Sequence, residues 1–74
     1  MKYELLNTII SAEMPIVNSD EYAVVITLRL HPTDNIASDF SKDVVVVSNN
    51  SQTGFEVDAQ REQEIQNYLN QINQ

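Results

Sequence analysis

The clearest alternation of hydrophobic and polar positions along the chain lies in residues 22–30. From Val24 onwards every second residue is a branched aliphatic one, and these residues are Val24, Ile26, Leu28 and Leu30. Between them stand Ala23, Val25, Thr27 and Arg29, a mixed set. A period of two predicts a strand with one face in the core and the other half-exposed. A second layer must then cover the apolar face, which predicts a two-layer fold.

Residues 2–12 have a less decisive pattern. Their apolar positions fit one face of a helix, and they are Leu5, Leu6, Ile9 and Ile10. The β-branched side chains of Thr8, Ile9 and Ile10 favour a strand instead. Both alternatives stay open, and we favour the strand because consecutive strands usually lie side by side. Pro15 ends the element in either case.

The segment after Leu30 reads as a connection, because Pro32 has no amide hydrogen and restricts His31 to extended geometry. We expect Ile36, Ala37 and Phe40 to hold this connection against the core or to form one helical turn. After Asp43, the four valines of residues 44–47 predict a strand that is buried on both faces, inside the sheet.

Residues 48–54 form a polar turn that ends at Gly54, the only glycine, which suits a positive φ angle. We predict a short returning strand at residues 55–57 and a helix that begins with Asp58 as N-cap and runs to about Ile72. The alternative starts the helix earlier, since Thr53 and Glu56 have the spacing of a capping box. The predicted inner stripe of the helix consists of Ala59, Glu62, Ile65, Leu69 and Ile72.

The pattern as a whole predicts an α+β fold, a small antiparallel sheet of three to four strands with one C-terminal α-helix packed on one face. At 74 residues the chain is expected to form a single domain over residues 1–74. It has no cysteine, so a disulfide or a thiolate zinc site cannot add stability. We therefore expect association with another chain to contribute.

The net charge of −7, from 11 acidic and 4 basic residues, opposes attraction to phosphate backbones and anionic membranes. Direct nucleic-acid binding and membrane binding are not expected. No apolar run has the length of a signal peptide core or of a membrane span. We expect the protein in the cytoplasm where it is made, or in a virion if a phage encodes it.

Few residues suit catalysis. His31 is the only histidine, and no serine lies in a recognisable nucleophile motif beside it. Asp34, Asp39 and Asp43 lack the spacing of a calcium loop, and one glycine cannot build a phosphate-binding loop. We predict no catalytic, cofactor-binding or metal-binding residue, and therefore no enzyme. An active site shared across an oligomer would depend on His31.

The predicted helix carries amides where lysine or glutamate would ordinarily keep a face solvated. Such a face can contact a protein without stranding a charge. The candidate partner-binding residues are Glu56, Asp58, Glu62, Gln63, Gln66, Asn67 and Asn70. The second candidate surface is an edge strand, either the N-terminal strand or residues 55–57, both of which are expected to lack the lysines and bulges that protect an edge.

These observations favour a non-catalytic protein–protein interaction or assembly component, of the structural or accessory kind that phages and mobile elements encode as small proteins. Its partner would be another protein or a second copy in a homo-oligomer. The alternative is an acidic inhibitor that mimics nucleic acid and blocks a DNA- or RNA-binding enzyme. Its carboxylates would come from the start of the helix and from Asp34, Asp39 and Asp43.

Overall fold

The computed structural model describes residues 2–34 and 37–74. Three strands are followed by one helix: β1 (Tyr3–Pro15), β2 (Glu21–Pro32), β3 (Phe40–Asn49) and α1 (Gly54–Ile72). The strands form one antiparallel sheet in the order β1-β2-β3, and α1 packs on one of its faces. The predicted α+β fold is confirmed, and so is the interpretation of residues 2–12 as a strand.

The central strand β2 supplies most of the core. Its alternating aliphatic residues, which the sequence placed on the inner face, are each 3% exposed or less. Val46 of β3 and Ile65 of α1 join them in one cluster. The face of β2 that the pattern predicted to be buried is therefore the face that α1 covers.

The prediction that residues 44–47 lie inside the sheet, buried on both faces, is wrong. β3 is an edge strand, and only alternate valines are buried: Val46 is 1% exposed, whereas Val45 is 58% exposed. A run of valines does not show which face a neighbour covers, and here α1 covers one face only.

The connection between β2 and β3 is shorter than predicted, because β2 continues to Pro32 and β3 begins at Phe40. Phe40 is half-buried, and its ring meets that of Tyr3 edge to face with centroids 5.3 Å apart. Ala37 is exposed, so it does not hold the connection to the core. The expectation for Ile36 lies outside the described residues.

The start of α1 corrects two further predictions. Residues 55–57 belong to the helix, and its N-cap is Thr53, not Asp58. The Thr53 hydroxyl accepts a hydrogen bond from Glu56 N (3.2 Å), and the Glu56 carboxylate accepts one from Thr53 N (3.1 Å). This reciprocal capping box gives two N–H groups a hydrogen-bond acceptor. A helix that began at Asp58 would not provide these acceptors. Gly54 has no positive φ angle; Asn18 does, at 61°.

The inner stripe of α1 differs accordingly. Val57 and Ile65 are buried and Leu69 and Ile72 are half-buried, whereas the predicted members Ala59 and Glu62 are exposed. Because the capping box starts the helix at Gly54, residues 54–57 are helical. Val57 is therefore the first residue of α1 that faces the core. The predicted end of the helix at Ile72 is confirmed.

Candidate functional site

The face of the sheet opposite α1 carries apolar side chains that no described element covers. We call it the open face, and its apolar part consists of two rows of paired residues across the three strands: Met14, Ala23 and Val47, then Ala12, Val25 and Val45. Met14 is 50% exposed and Val47 is 41% exposed. An apolar face of this kind is typical of a surface that another protein covers.

Apart from Ile9, which pairs with Thr27 and is 58% exposed, the rest of the open face is polar and internally bonded. The Thr27 hydroxyl donates to the Asp43 carboxylate (2.8 Å), and its oxygen lies 3.0 Å from the Ser11 hydroxyl oxygen. In the next row, the Arg29 guanidinium donates to the Ser41 hydroxyl (3.3 Å). The open face therefore has an apolar half beside the turn at residues 16–20 and a polar half towards the other end of the strands.

The outer edge of β3 is capped by two glutamines. The Gln60 side-chain amide donates to Val47 O (2.6 Å), and the Gln52 side-chain oxygen accepts from Asn49 N (2.6 Å). The buried Ser48 hydroxyl donates to the Gln60 side-chain oxygen (3.0 Å). Side chains thus occupy the last backbone groups of β3 that another strand would otherwise bind.

The hydrogen-bonding phase of the sheet shows which backbone groups of β1 point outwards. Asn50 N donates to Asp20 O (2.8 Å) and extends the β2–β3 ladder. Because backbone hydrogen bonds alternate along a strand, even-numbered residues of β2 hydrogen-bond to β3 and odd-numbered ones to β1. The bond from Ile16 N to Glu21 O agrees with this phase. The residues of β1 that face even-numbered partners therefore direct their backbone groups away from the sheet. They are Tyr3, Leu5, Thr8, Ile10, Glu13 and Pro15.

Both ends of this row are closed. Asn73 binds Tyr3 as a strand would: its side-chain oxygen accepts from Tyr3 N (2.8 Å) and its side-chain nitrogen donates to Tyr3 O (3.1 Å). At the other end Pro15 has no amide hydrogen. Among the described residues, no strand or side chain binds the outward groups that remain, and we call them the β1 edge: Leu5, Thr8, Ile10 and Glu13.

β1 contains two bulges, which contradicts the expectation that this strand has none. The pairing with β2 shifts between Leu5 and Asn7 and again between Ile10 and Ala12, so Leu6 and Ser11 are extra residues. A bulge bends its strand and increases the local twist, and natural edge strands use bulges against unspecific pairing. No glycine or other residue type typical of a bulge marks either position, since the extra residues are a leucine and a serine.

The seven predicted partner-binding residues all lie exposed on α1. Three of their side chains have intramolecular hydrogen bonds: Glu56 belongs to the capping box, and Gln63 donates to Asn67 (2.9 Å). Because α1 lies on the other side of the sheet, these residues do not adjoin the open face. The amides that the structure uses most, Gln52, Gln60 and Asn73, cap strand edges, which composition alone did not indicate.

Residues considered as candidates for catalysis or metal binding have side-chain partners within the chain. His31 lies in β2, not in a loop, and its Nδ1 is 2.5 Å from Asp39 Oδ1, with both side chains about one-third exposed. Asp43 is bonded to Thr27. Over residues 2–34 and 37–74, no three potential metal ligands cluster and no pocket is found. Within the same residues, no helix combines the length and apolar character needed to cross a bilayer.

The chain matches no protein-family model, and it has no match among curated proteins or solved structures.

Proposed function

We propose that the protein is a non-catalytic protein–protein interaction or assembly component that docks through the open face and the β1 edge. The observation that carries this proposal is the exposure of Val45, Val47 and Met14 in adjoining rows of one sheet face. When another protein covers these side chains, the water in contact with them is released. This burial stabilises the complex by about 25 cal/mol per Å² of apolar surface removed from water.

The open face is suited to docking because its side chains lose little freedom on binding. Valine has a restricted χ1 angle, so Val45 and Val47 are nearly ordered before a partner arrives. The adjacent polar side chains are already bonded to one another, as in the pair of Thr27 and Asp43. A partner that covers this pair must bring a cation to the Asp43 carboxylate or leave it at a solvated rim, because the Thr27 hydroxyl is neutral.

The partner that we propose is another protein or a second copy of this chain. The seven exposed residues on α1 form a third, more polar docking surface in this proposal. The proposal includes a location. The protein works in the cytoplasm, or within a virion if a phage or mobile element encodes it. The acidic inhibitor stays the alternative, and three of its carboxylates, Glu56, Asp39 and Asp43, already have intramolecular partners.

The test compares two sets of substitutions in the full chain. Val45→Thr with Val47→Thr makes the open face polar while keeping β-branched residues that suit a strand. Gln66→Ala with Asn70→Ala changes only the exposed side of α1. The partner is captured from the native cell with the tagged protein, identified, purified, and its Kd for each variant is measured by calorimetry.

We expect the double valine variant to weaken binding by about tenfold or more, and the helix variant to change it less. Circular dichroism must show that both variants remain folded. Unchanged Kd in the valine variant would remove the open face from the proposal. Turnover of a substrate by the purified chain would contradict the non-catalytic assignment itself.

A further inference from the structure

The outward groups of the β1 edge are spaced symmetrically about Ile9. Between consecutive members the chain advances three, two and three residues, from Leu5 to Thr8, to Ile10 and to Glu13. The two longer steps are the bulges, which add one residue on each side of Ile9. Read in the opposite direction, the edge presents the same series of steps.

From this symmetry we propose that the β1 edge pairs with the β1 edge of a second copy, antiparallel, about a two-fold axis at Ile9. The inference rests on the proposed function and names the occupant of the β1 edge. In this register Thr8 faces Ile10 of the second copy, and Leu5 faces its Glu13. The two sheets join into one of six strands with both helices on the same face, because the axis is perpendicular to the sheet.

The bulges favour a second copy over an unrelated strand. A regular strand would have to follow two bends that its own backbone does not contain. A second copy has an extra residue at each of the same two places, so each bulge lies opposite a bulge and the register is kept. The closed ends at Tyr3 and Pro15 limit the pairing to this symmetrical stretch.

The side chains also fit this register. Leu6, Ile9 and Ile10 are each about half exposed in the single chain, and pairing covers them. No charged residue faces a like charge, since Glu13 faces Leu5 and Glu4 faces Met14 of the second copy. The edge of β3 is capped at its last residues, so its free stretch is shorter than that of β1.

Disulfide crosslinking tests the register directly, because the chain has no native cysteine. Ile9 bonds to β2, so at the two-fold axis it faces its own copy in a non-hydrogen-bonded pair with Cα atoms roughly 4.5 Å apart. That distance suits a disulfide. The matched control is Val45→Cys, because Val45 is on the open face as well and both side chains are 58% exposed. We expect Ile9→Cys to give about tenfold more covalent dimer than Val45→Cys on mild oxidation.

Charge substitutions provide a second readout. Thr8→Lys with Ile10→Lys places like charges opposite each other across the axis, and it should weaken association about tenfold or more. Thr8→Glu with Ile10→Lys places opposite charges there and should restore it. Both positions are exposed in the single chain, so circular dichroism should show folded variants. Sedimentation velocity over micromolar to millimolar concentrations measures the association.

Three results would overturn self-pairing: a wild-type chain that stays monomeric at millimolar concentration, preferential crosslinking through Val45→Cys, or equal association of the two charge variants. The proposed function fails separately. A monomeric chain whose binding to another protein is lost in the Val45→Thr, Val47→Thr variant would contradict self-pairing and still support docking through the open face.

Discussion

The side-chain amide of Gln60 donates a hydrogen bond to the backbone oxygen of Val47 at 2.6 Å, and so ties α1 to the outer edge of β3. The same side chain accepts from the Ser48 hydroxyl, which is only 2% exposed. One glutamine therefore satisfies a strand edge and a buried hydroxyl together. Its neighbour in this cap, Gln52, donates to the Gln60 side-chain oxygen at 3.3 Å.

Gln60→Ala should lower the free energy of unfolding by about 1 to 3 kcal/mol, because Ser48 loses its partner in a buried position and Val47 O loses its donor. Gln63→Ala is the matched control, since Gln63 is exposed on the same helix, and it should change stability by less than about 0.5 kcal/mol. Urea unfolding followed by circular dichroism gives both values. Equal effects would show that the cap does not stabilise the fold.

Asn73→Ala should release the N-terminal end of β1. The loss of both bonds to Tyr3 exposes its backbone groups, so the Tyr3 amide should exchange its hydrogen faster while amides in the middle of β2 change less. Asn70→Ala, on the exposed side of α1, is the control and should leave Tyr3 protected. Hydrogen exchange measured by NMR tests this. Unchanged protection of Tyr3 in the Asn73 variant would contradict the pairing.

Adjacent valines of β3 should respond very differently to truncation. Val46→Ala removes two methyl groups from the core, which should cost about 1.5 to 3 kcal/mol. Val45→Ala removes them from the open face, which should cost less than about 1 kcal/mol. Denaturant unfolding of the two variants gives the comparison. Similar losses would mean that the open face is covered in solution, for example by another copy.

The fold was predictable where one periodic pattern determined the local structure. The period of two in residues 22–30 identified β2 and its buried face, and Ile65, Leu69 and Ile72 identified α1. The valines of residues 44–47 carried no periodicity, so they did not show that β3 lies at an edge. The sequence offered two N-cap candidates for α1, Thr53 and Asp58. The reciprocal hydrogen bonds between Thr53 and Glu56 identify Thr53 as the N-cap.

The candidate site was less predictable than the fold. The N-terminal strand was expected to lie at an edge of the sheet, and β1 does, but its bulges arise from pairing with β2 and no residue type marks them. The apolar open face could not be recognised because the valines of β3 were assigned to the interior. Gln60 of α1 and Asn73, which follows α1, resembled the neighbouring amides in sequence, and only the tertiary structure distinguishes their capping roles.

The capping box predicts the response of α1 to substitution at Thr53. Thr53→Ala should destabilise the protein by about 1 kcal/mol, because the first turn loses a side-chain acceptor for Glu56 N. Thr53→Ser retains a hydroxyl and should recover most of the loss. Thermal unfolding of both variants checks this. A helix that began at Asp58 would be insensitive to both changes.

Salt should separate self-pairing from binding to a basic partner. Each copy carries a net charge of −7, so two copies repel each other, and the Debye length falls from about 30 Å at 0.01 M to about 8 Å at 0.15 M ionic strength. Added salt should therefore strengthen a dimer held by backbone bonds and apolar contacts. A basic partner bound by the acidic residues should be released over the same range. Sedimentation at both ionic strengths measures the first, and calorimetry with the purified partner measures the second. A dimer that dissociates as salt is added would contradict the β1 pairing, because in that register no opposite charges face each other.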